Sequence, residues 1–319
     1  MQKFIVNQKE SGQTLEKYVK KVLSIAPLSF IYKLFRKKDV RINNHWEKEH
    51  TKIHQGDLVT IYVTDSQYEE FSQTKEIEAN DKIKDLVVYE DNNILIVNKP
   101  RGILVQKDKT NVEALDDMVL SYLAYKGEYS SNSISTPGPA HRLDRNTCGL
   151  VIFGKNTATL QYLFKIISER NDISKHYITL VKGCVDKDGF VDVPLKKNES
   201  TSLVFPTSVE DGGKPARTNY RVIKSSNEYS LLDVTLETGR THQIRVHMAY
   251  INHPVIGDNK YGDFDLNHLI EKEYGFKNQF LIANRIDFGD LKEPLTNLKK
   301  RHIEVDMPLE FKELLDKLF

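Results

Sequence analysis

Cysteine is almost absent. Cys148 and Cys184 are the only two in 319 residues, and they form no CxxC pair. That argues against a disulfide framework and a thiolate zinc site, and it leads us to expect a protein of the reducing cytoplasm. No apolar run approaches the roughly 20 residues that a helix needs to span a bilayer, so no membrane partner is expected. The opening residues Met1-Gln2-Lys3-Phe4-Ile5-Val6-Asn7 have no apolar stretch of the kind a leader carries, and no signal peptide is expected. There is no HExxH, and His242 and His247 are not at zinc-binding i, i+4 spacing, so no metal is expected. No internal repeat is present.

Net charge is also nearly missing, at +1. Resolved along the chain, it is not. Residues 1–63 hold twelve Lys/Arg against six Asp/Glu, whereas residues 65–85 hold three lysines against seven acids. A basic head is followed by an acidic stretch, and segregated basic charge is a nucleic-acid footprint. Within the head, Leu15, Tyr18, Val19, Val22 and Leu23 fall on one helical face. Pro27 interrupts, and Ser29 is placed to cap a second helix. Phe30, Ile31, Leu34 and Phe35 form that helix's apolar stripe, which leaves Lys33, Arg36 and Lys37 together on another face. The bland account of such a row is a solvated helix face. A two-helix unit this basic favours contact with RNA or DNA. Val40 to Asn44 reads as a strand entering a turn, and Leu58 to Val63 as an alternating strand after Gly56-Asp57.

Residues 64–84 are polar and acidic without strong periodicity and read as a linker. A larger domain follows. Two short apolar runs around Asp91-Asn92-Asn93 signal a hairpin, and Ile103-Leu104-Val105 reads as a strand after the turn at Pro100-Arg101-Gly102. Residues 128–140, rich in Ser, Pro and Gly, read as a loop. Residues 150–153 form a buried strand, and a helix starting at Asn156 or Thr157 carries Leu160, Leu163, Phe164 and Ile167. Further strands fall at 174–181 and 232–236, and a helix capped by Thr241 carries Ile244, Met248 and Ile251. Strands outnumber helices. The fold class expected is α+β: a mixed, mostly antiparallel sheet flanked by helices, plus a small N-terminal α/β module. The expected divisions are 1–64, an acidic linker at 65–84, and 85–319.

Three motifs could carry chemistry. The first is His141-Arg142-Leu143-Asp144-Arg145-Asn146-Thr147-Cys148-Gly149-Leu150, a carboxylate between two arginines leading into a buried strand. A structural Arg–Asp pair on a surface loop would look the same. No second acid is near enough in sequence for a carboxylate dyad, so Asp144 suits a nucleophile or a single general base. The second is Lys175-His176-Tyr177-Ile178-Thr179, where Lys175, Tyr177 and Thr179 share one face of a strand. Tyr177 offers a flat ring on which a base could stack, although a packed sheet tyrosine is the commoner outcome. The third runs from Leu236 to His247. Gly239 permits a tight turn, and Arg245 lies on a helix face from which it could reach a carboxylate near the helix start. His253 to Gly262 reads as loop architecture.

Together, residues 141–150, 175–183, 238–247 and 253–262 resemble the RluA-type family of pseudouridine synthases, over residues 86 to about 310. Phe30 to Asn43, followed by Gly56-Asp57, resembles the αL RNA-binding module of the S-four type. The resemblance implies an enzyme that isomerises uridine in structured RNA to pseudouridine without cofactor or metal. The glycosidic bond of the flipped-out uracil is cleaved, the base rotates, and it is rejoined through carbon 5. It implies Asp144 as the catalytic aspartate, whether it attacks the ribose or the base or abstracts a ribose proton. Tyr177 is implied as the residue under the uracil, and Arg245 as the partner of the aspartate. Arg240 is implied for that same pairing or for a phosphate, and Arg142 for the space the nucleotide vacates. Lys33, Arg36 and Lys37 would bind RNA. The expected partner is 23S ribosomal RNA and the expected state a monomer. Cys148 stands where the family has serine, Gln106 where many members have histidine, and Ile282-Ala283-Asn284 departs from the usual run. Excluding water from the severed sugar calls for a largely closed pocket. A non-catalytic RNA-binding or ribosome-assembly factor retaining the fold is the alternative. A hydrolase using Asp144 with a histidine is disfavoured by the lack of a nucleophile elbow.

Overall fold

The computed structural model describes residues 1–72, 77–108, 112–130, 133, 135–170 and 172–319. At the N-terminus β1 (Gln2–Ile5) is followed by α1 (Leu15–Val22) and α2 (Leu28–Arg36). The apolar spacing of α1 does what it predicts: Leu15, Tyr18, Val19 and Val22 are all buried. Ser29 does not cap α2. Pro27 stands at the cap position, its fixed φ already near helical, and its carbonyl accepts the N–H groups of Phe30 and Ile31. Asn43 and Asn44, both at positive φ, make the tight turn between β2 (Val40–Ile42) and β3 (His45–Trp46). With β4 (Leu58–Ile61) these strands form a sheet ordered β1-β4-β2-β3.

The stretch read as linker, 65–84, is not linker throughout. Residues Asp65–Phe71 form α3, opened by a capping box between Thr64 and Gln67. Tyr68 and Phe71 pack on the core of the N-terminal module, with Phe71 4.7 Å from Phe30 between ring centroids. Asp65, Glu69 and Glu70 face solvent. The acidic face dominated the sequence pattern and hid a two-residue apolar stripe.

The larger part is built on one sheet. Its elements are β5 (Val87–Glu90), β6 (Ile94–Lys99), α4 (Leu115–Tyr125), β7 (Gly138–Pro139), β8 (Cys148–Gly154), α5 (Thr157–Glu169) and β9 (Ile173–Lys182). There follow β10 (Gly189–Asp192), the small hairpin β11 (Leu195–Lys197) and β12 (Val204–Pro206), β13 (Arg217–Ser225), β14 (Tyr229–Leu236), α6 (Gln243–Tyr250) and α7 (Phe264–Tyr274). The chain ends with β15 (Leu281–Phe288), β16 (His302–Glu304) and α8 (Leu309–Leu318). The strand order is β10-β13-β14-β9-β15-β8-β6-β5, with β16 beside β15 and β7 beside β8. Among the described residues β15 and β8 run parallel and the other pairs antiparallel, so the sheet is mixed and mostly antiparallel in an α+β fold.

Both faces of the central strands are covered, which is why β6 and β8 read as continuous apolar runs. Leu95, Val97, Val151 and Phe153 pack with α4 and α6 on one face. Ile94, Ile96, Leu150 and Ile152 pack with Leu163 and Ile166 of α5 on the other. Asn156 caps α5 through its side chain. Ile103 to Val105 is not a strand. The carbonyls of Leu104 and Val105 instead accept the N–H groups of Leu115 and Asp116 at the start of α4. At the parallel crossing Gly149 has φ +110°, and any Cβ there would collide with the Ala283 carbonyl.

His176 on β9 ties three strands together, with Asp233 of β14 at 3.6 Å and Asp287 of β15 at 3.0 Å. The Asp233 carboxylate beside the ring raises its pKa above the ordinary value, burial opposes, and the charge of Asp287 adds to the rise. A raised folded-state pKa gives stability that is fully present below about pH 6.5 and lost as pH rises through the folded value. The melting-temperature gap between wild type and His176→Gln should therefore be wider near pH 6 than near pH 8.5. A gap independent of pH contradicts the charged pairing.

Candidate active site

Between β7 and β8 lies the segment 140–147, and it turns at Asp144, whose carbonyl accepts the Thr147 N–H at 3.1 Å. The turn is held from three directions. Gly102 N–H donates to the Arg145 carbonyl at 2.9 Å, and Gln279 Nε2 donates to Thr147 Oγ1 at 2.6 Å. The third hold is Lys99, which is fully buried. Its ammonium donates to the carbonyls of Pro100, Ile103 and Arg145 at 2.9–3.0 Å, one acceptor for each proton. Burial pulls the Lys99 pKa down to about 8.

The partner of Asp144 comes from α6, and neither flanking arginine supplies it. Arg142 and Arg145 are exposed. Arg245 donates through Nη1 to Asp144 Oδ2 at 2.9 Å. Its Nε and Nη2 grip Asp258 in a two-pronged contact at 2.7 and 2.8 Å. Asp258 is fully buried and also accepts the backbone N–H groups of Lys260 and Tyr261. Burial works against both charges. Asp258 and then Asp144 nevertheless hold the guanidinium protonated, and Arg245 holds the Asp258 carboxyl below the usual range. The Tyr261 ring lies over the guanidinium, its centroid 5.2 Å from Cζ. Asp144 is thus fixed by one oxygen. Its other oxygen, Oδ1, faces His242 Nε2 at 4.0 Å, and the side chain keeps 24% of its exposure. The carboxylate is therefore partly exposed, with Arg245 as its hydrogen-bonded side-chain partner among the described residues.

Tyr177 sits mid-sheet on β9, opposite Val234 and Ala283, and is only 5% exposed. Burial, and next the charge of Asp144, push its phenol well up, so it stays protonated at neutral pH. The ring belongs to the core as well as to the site, so little of its surface is left uncovered. Thr241 does not cap α6. His242 takes the cap position in the left-handed region, at φ +54°. Gln243 anchors the turn, accepting from Thr238 Oγ1 and Arg240 N and donating to the Arg217 carbonyl and Thr218. Arg240 does not reach Asp144; its Nε donates to the Pro215 carbonyl at 3.0 Å. Among the described residues no three His, Cys, Asp or Glu side chains group as a metal site, and no helix is long and apolar enough to cross a membrane.

Residues 93–250 match the RNA pseudouridylate synthase family. An RNA pseudouridine synthase of Mycoplasma capricolum is 32% identical over 312 residues, covering 95% of this chain and 97% of that protein. The ribosomal large subunit pseudouridine synthase C of Vibrio cholerae is 30% identical over 312 residues, covering 96% and 92%.

The chain belongs to the RNA pseudouridine synthase family.

The solved structure of human RNA pseudouridylate synthase domain containing 4 shares the fold, with a TM-score of 0.59 at 19% identity over 74% of this chain and 94% of that one. In this synthase the structure brings Asp144, Tyr177 and Arg245 together and leaves Arg240 and Arg142 at the margin. It adds Asp258, Tyr261, His242 and Lys99, which the sequence reading had not placed in the site. The signal for Asp258 was slight, a lone acid after Gly257 in a segment read as loop. Lys33, Arg36 and Lys37 lie at the end of α2, all exposed. Close by in sequence, Lys38 lies over the Trp46 ring and Arg41 over that of Tyr62, a surface of cations on aromatics. Cys148 is buried, and burial pushes its thiol up to about 11, so it packs as a small apolar residue.

Proposed function

We propose that this synthase isomerises specific uridines of 23S ribosomal RNA, acting as a cytoplasmic monomer without metal or cofactor. Asp144 is the single catalytic carboxylate, and the target uridine is flipped out of its stack to reach it. The observation that carries the assignment is the division of labour on Asp144, one oxygen pinned by Arg245 and the other left open. A pinned but accessible oxygen is what a reaction at one nucleoside needs. The bond from N1 to the ribose breaks, the base turns, carbon 5 bonds to the same ribose carbon, and the carbon 5 proton is exchanged for one on N1. Tyr177 supports the base, and the RNA strand itself completes the water-excluding cover over Asp144. The large-subunit names of relatives from Vibrio and Salmonella support the choice of RNA.

Pseudouridine mapping across total RNA, with and without the gene, tests the proposal. Loss of one or more sites in 23S RNA is expected. Loss confined to transfer RNA would move the substrate, and no lost site at all would leave only the non-catalytic reading. The basic row has its own test. Replacing Lys33, Arg36 and Lys37 together by alanine should weaken RNA binding and lower the slope of log K against log salt by about two, since each phosphate contact to single-stranded RNA contributes roughly 0.7. An unchanged slope removes these residues from the interface.

A further inference from the structure

We propose that His242 is a positioning residue for Asp144, its Nε2–H set toward the open carboxylate oxygen by a relay that starts on the β11–β12 hairpin. The inference rests on the catalytic role proposed for Asp144. The relay can be read from its donors. Val204 N–H donates to Tyr261 Oη at 2.9 Å. That hydroxyl lies 2.7 Å from His242 Nδ1. A phenol oxygen that already accepts turns its own proton to the ring nitrogen, since the reverse arrangement would leave the phenolic proton without an acceptor. Nδ1 is then the acceptor, and a neutral imidazole carries its proton on Nε2. Nε2 stands 4.0 Å from Asp144 Oδ1.

The neutral state follows from the surroundings. Burial disfavours the imidazolium most; Asp144 and Asp258 oppose that, and Arg245 and Lys260 reinforce it. At 4.0 Å the donor is too far to occupy Oδ1 with a full hydrogen bond. It can bias the direction of the carboxylate while leaving the oxygen available, the complement of Arg245 on Oδ2. The backbone is committed to this aim. His242 is held at φ +54°, a conformation that side chains bearing a Cβ adopt at a cost. That single residue turns the imidazole back from the start of α6 toward segment 140–147. Tyr261 serves twice, its hydroxyl fixing the tautomer of His242 and its ring covering Arg245.

The test is steady-state kinetics of full-length His242→Gln and His242→Asn on an RNA fragment carrying the mapped uridine. Asparagine tolerates the left-handed backbone best, so His242→Asn preserves the turn, but its amide reaches only the Nδ1 position. The glutamine amide reaches the Nε2 position. We expect His242→Gln to keep kcat within about threefold, and His242→Asn to lose about tenfold or more in kcat with KM unchanged, the loss of one oriented donor. Tyr261→Phe, which keeps the ring over Arg245 and removes the relay, should lower kcat in the same direction. Wild-type kcat in His242→Asn, a deficit confined to KM, or equal losses in the glutamine and asparagine variants would each overturn the proposal. Absence of pseudouridine formation by the wild-type protein would instead sink the assignment of function.

Discussion

Asp144→Asn is expected to abolish pseudouridine formation, by a factor on the order of 10³ or more, while leaving folding and RNA binding nearly intact. The size follows from removing the one carboxylate around which the proposed reaction is built, where the loss reflects chemistry and not contact. The selectivity follows from the structure. The asparagine side-chain oxygen can still accept from Arg245 Nη1, and Arg245 keeps both bonds to Asp258, so no buried charge is stranded. Asp144 is partly exposed, so the change buries no new polar group. A shift in melting temperature of no more than a few degrees is expected, because substitutions that strand no buried group usually cost little. Activity by pseudouridine detection, melting by fluorescence and RNA affinity at fixed salt should be measured on one preparation. Retained activity refutes the catalytic assignment. A collapse of all three readouts would show that Asp144 holds the fold.

The elements that were legible in the sequence share one property: their signal is local. The apolar runs of β6 and β8, the Asp91 hairpin and the α1 stripe each lie within a dozen residues of chain. Asp144, Tyr177 and Arg245 were legible only as a set, through the order of four motifs. What stayed hidden depends on neighbours distant in sequence. Asp258 looks like any turn aspartate until the fold sets Arg245 against it. Lys99 looks like a turn lysine until three carbonyls close around it. Arg142 and Arg145 show the converse: neighbours along the chain need not be neighbours in the fold. Adjacency along the chain put positive charge beside Asp144, whereas the backbone turn sends both arginines to solvent. The Thr241 cap failed because Gln243, through four hydrogen bonds, fixes the turn more firmly than one hydroxyl can.

Asp258→Ala should be the most damaging single change to stability in the site, and its cost should be separable from its effect on activity. Removing this carboxylate leaves the Arg245 guanidinium buried with Nε and Nη2 unpaired, and leaves the Lys260 and Tyr261 amides without their acceptor. Breaking a buried pair from one side costs about 3–5 kcal/mol. Activity should fall as well, since Asp258 fixes the fork whose third prong holds Asp144. The double variant Arg245→Met with Asp258→Leu tests what the pair is for. It removes both charges together and fills the space, a replacement that is often neutral or stabilising by up to about 4 kcal/mol. Stability should therefore recover in part, since the Lys260 and Tyr261 amides still lack their acceptor, while activity stays lost because Asp144 Oδ2 then has no donor. Arg245→Lys should also be inactive, as a single ammonium cannot copy a planar fork spanning two carboxylates. Chemical denaturation and pseudouridine yield, measured across the three variants, separate the two roles. If the double variant recovers activity along with stability, Arg245 does not orient the aspartate. If it recovers neither, the pair holds the fold first and the site second.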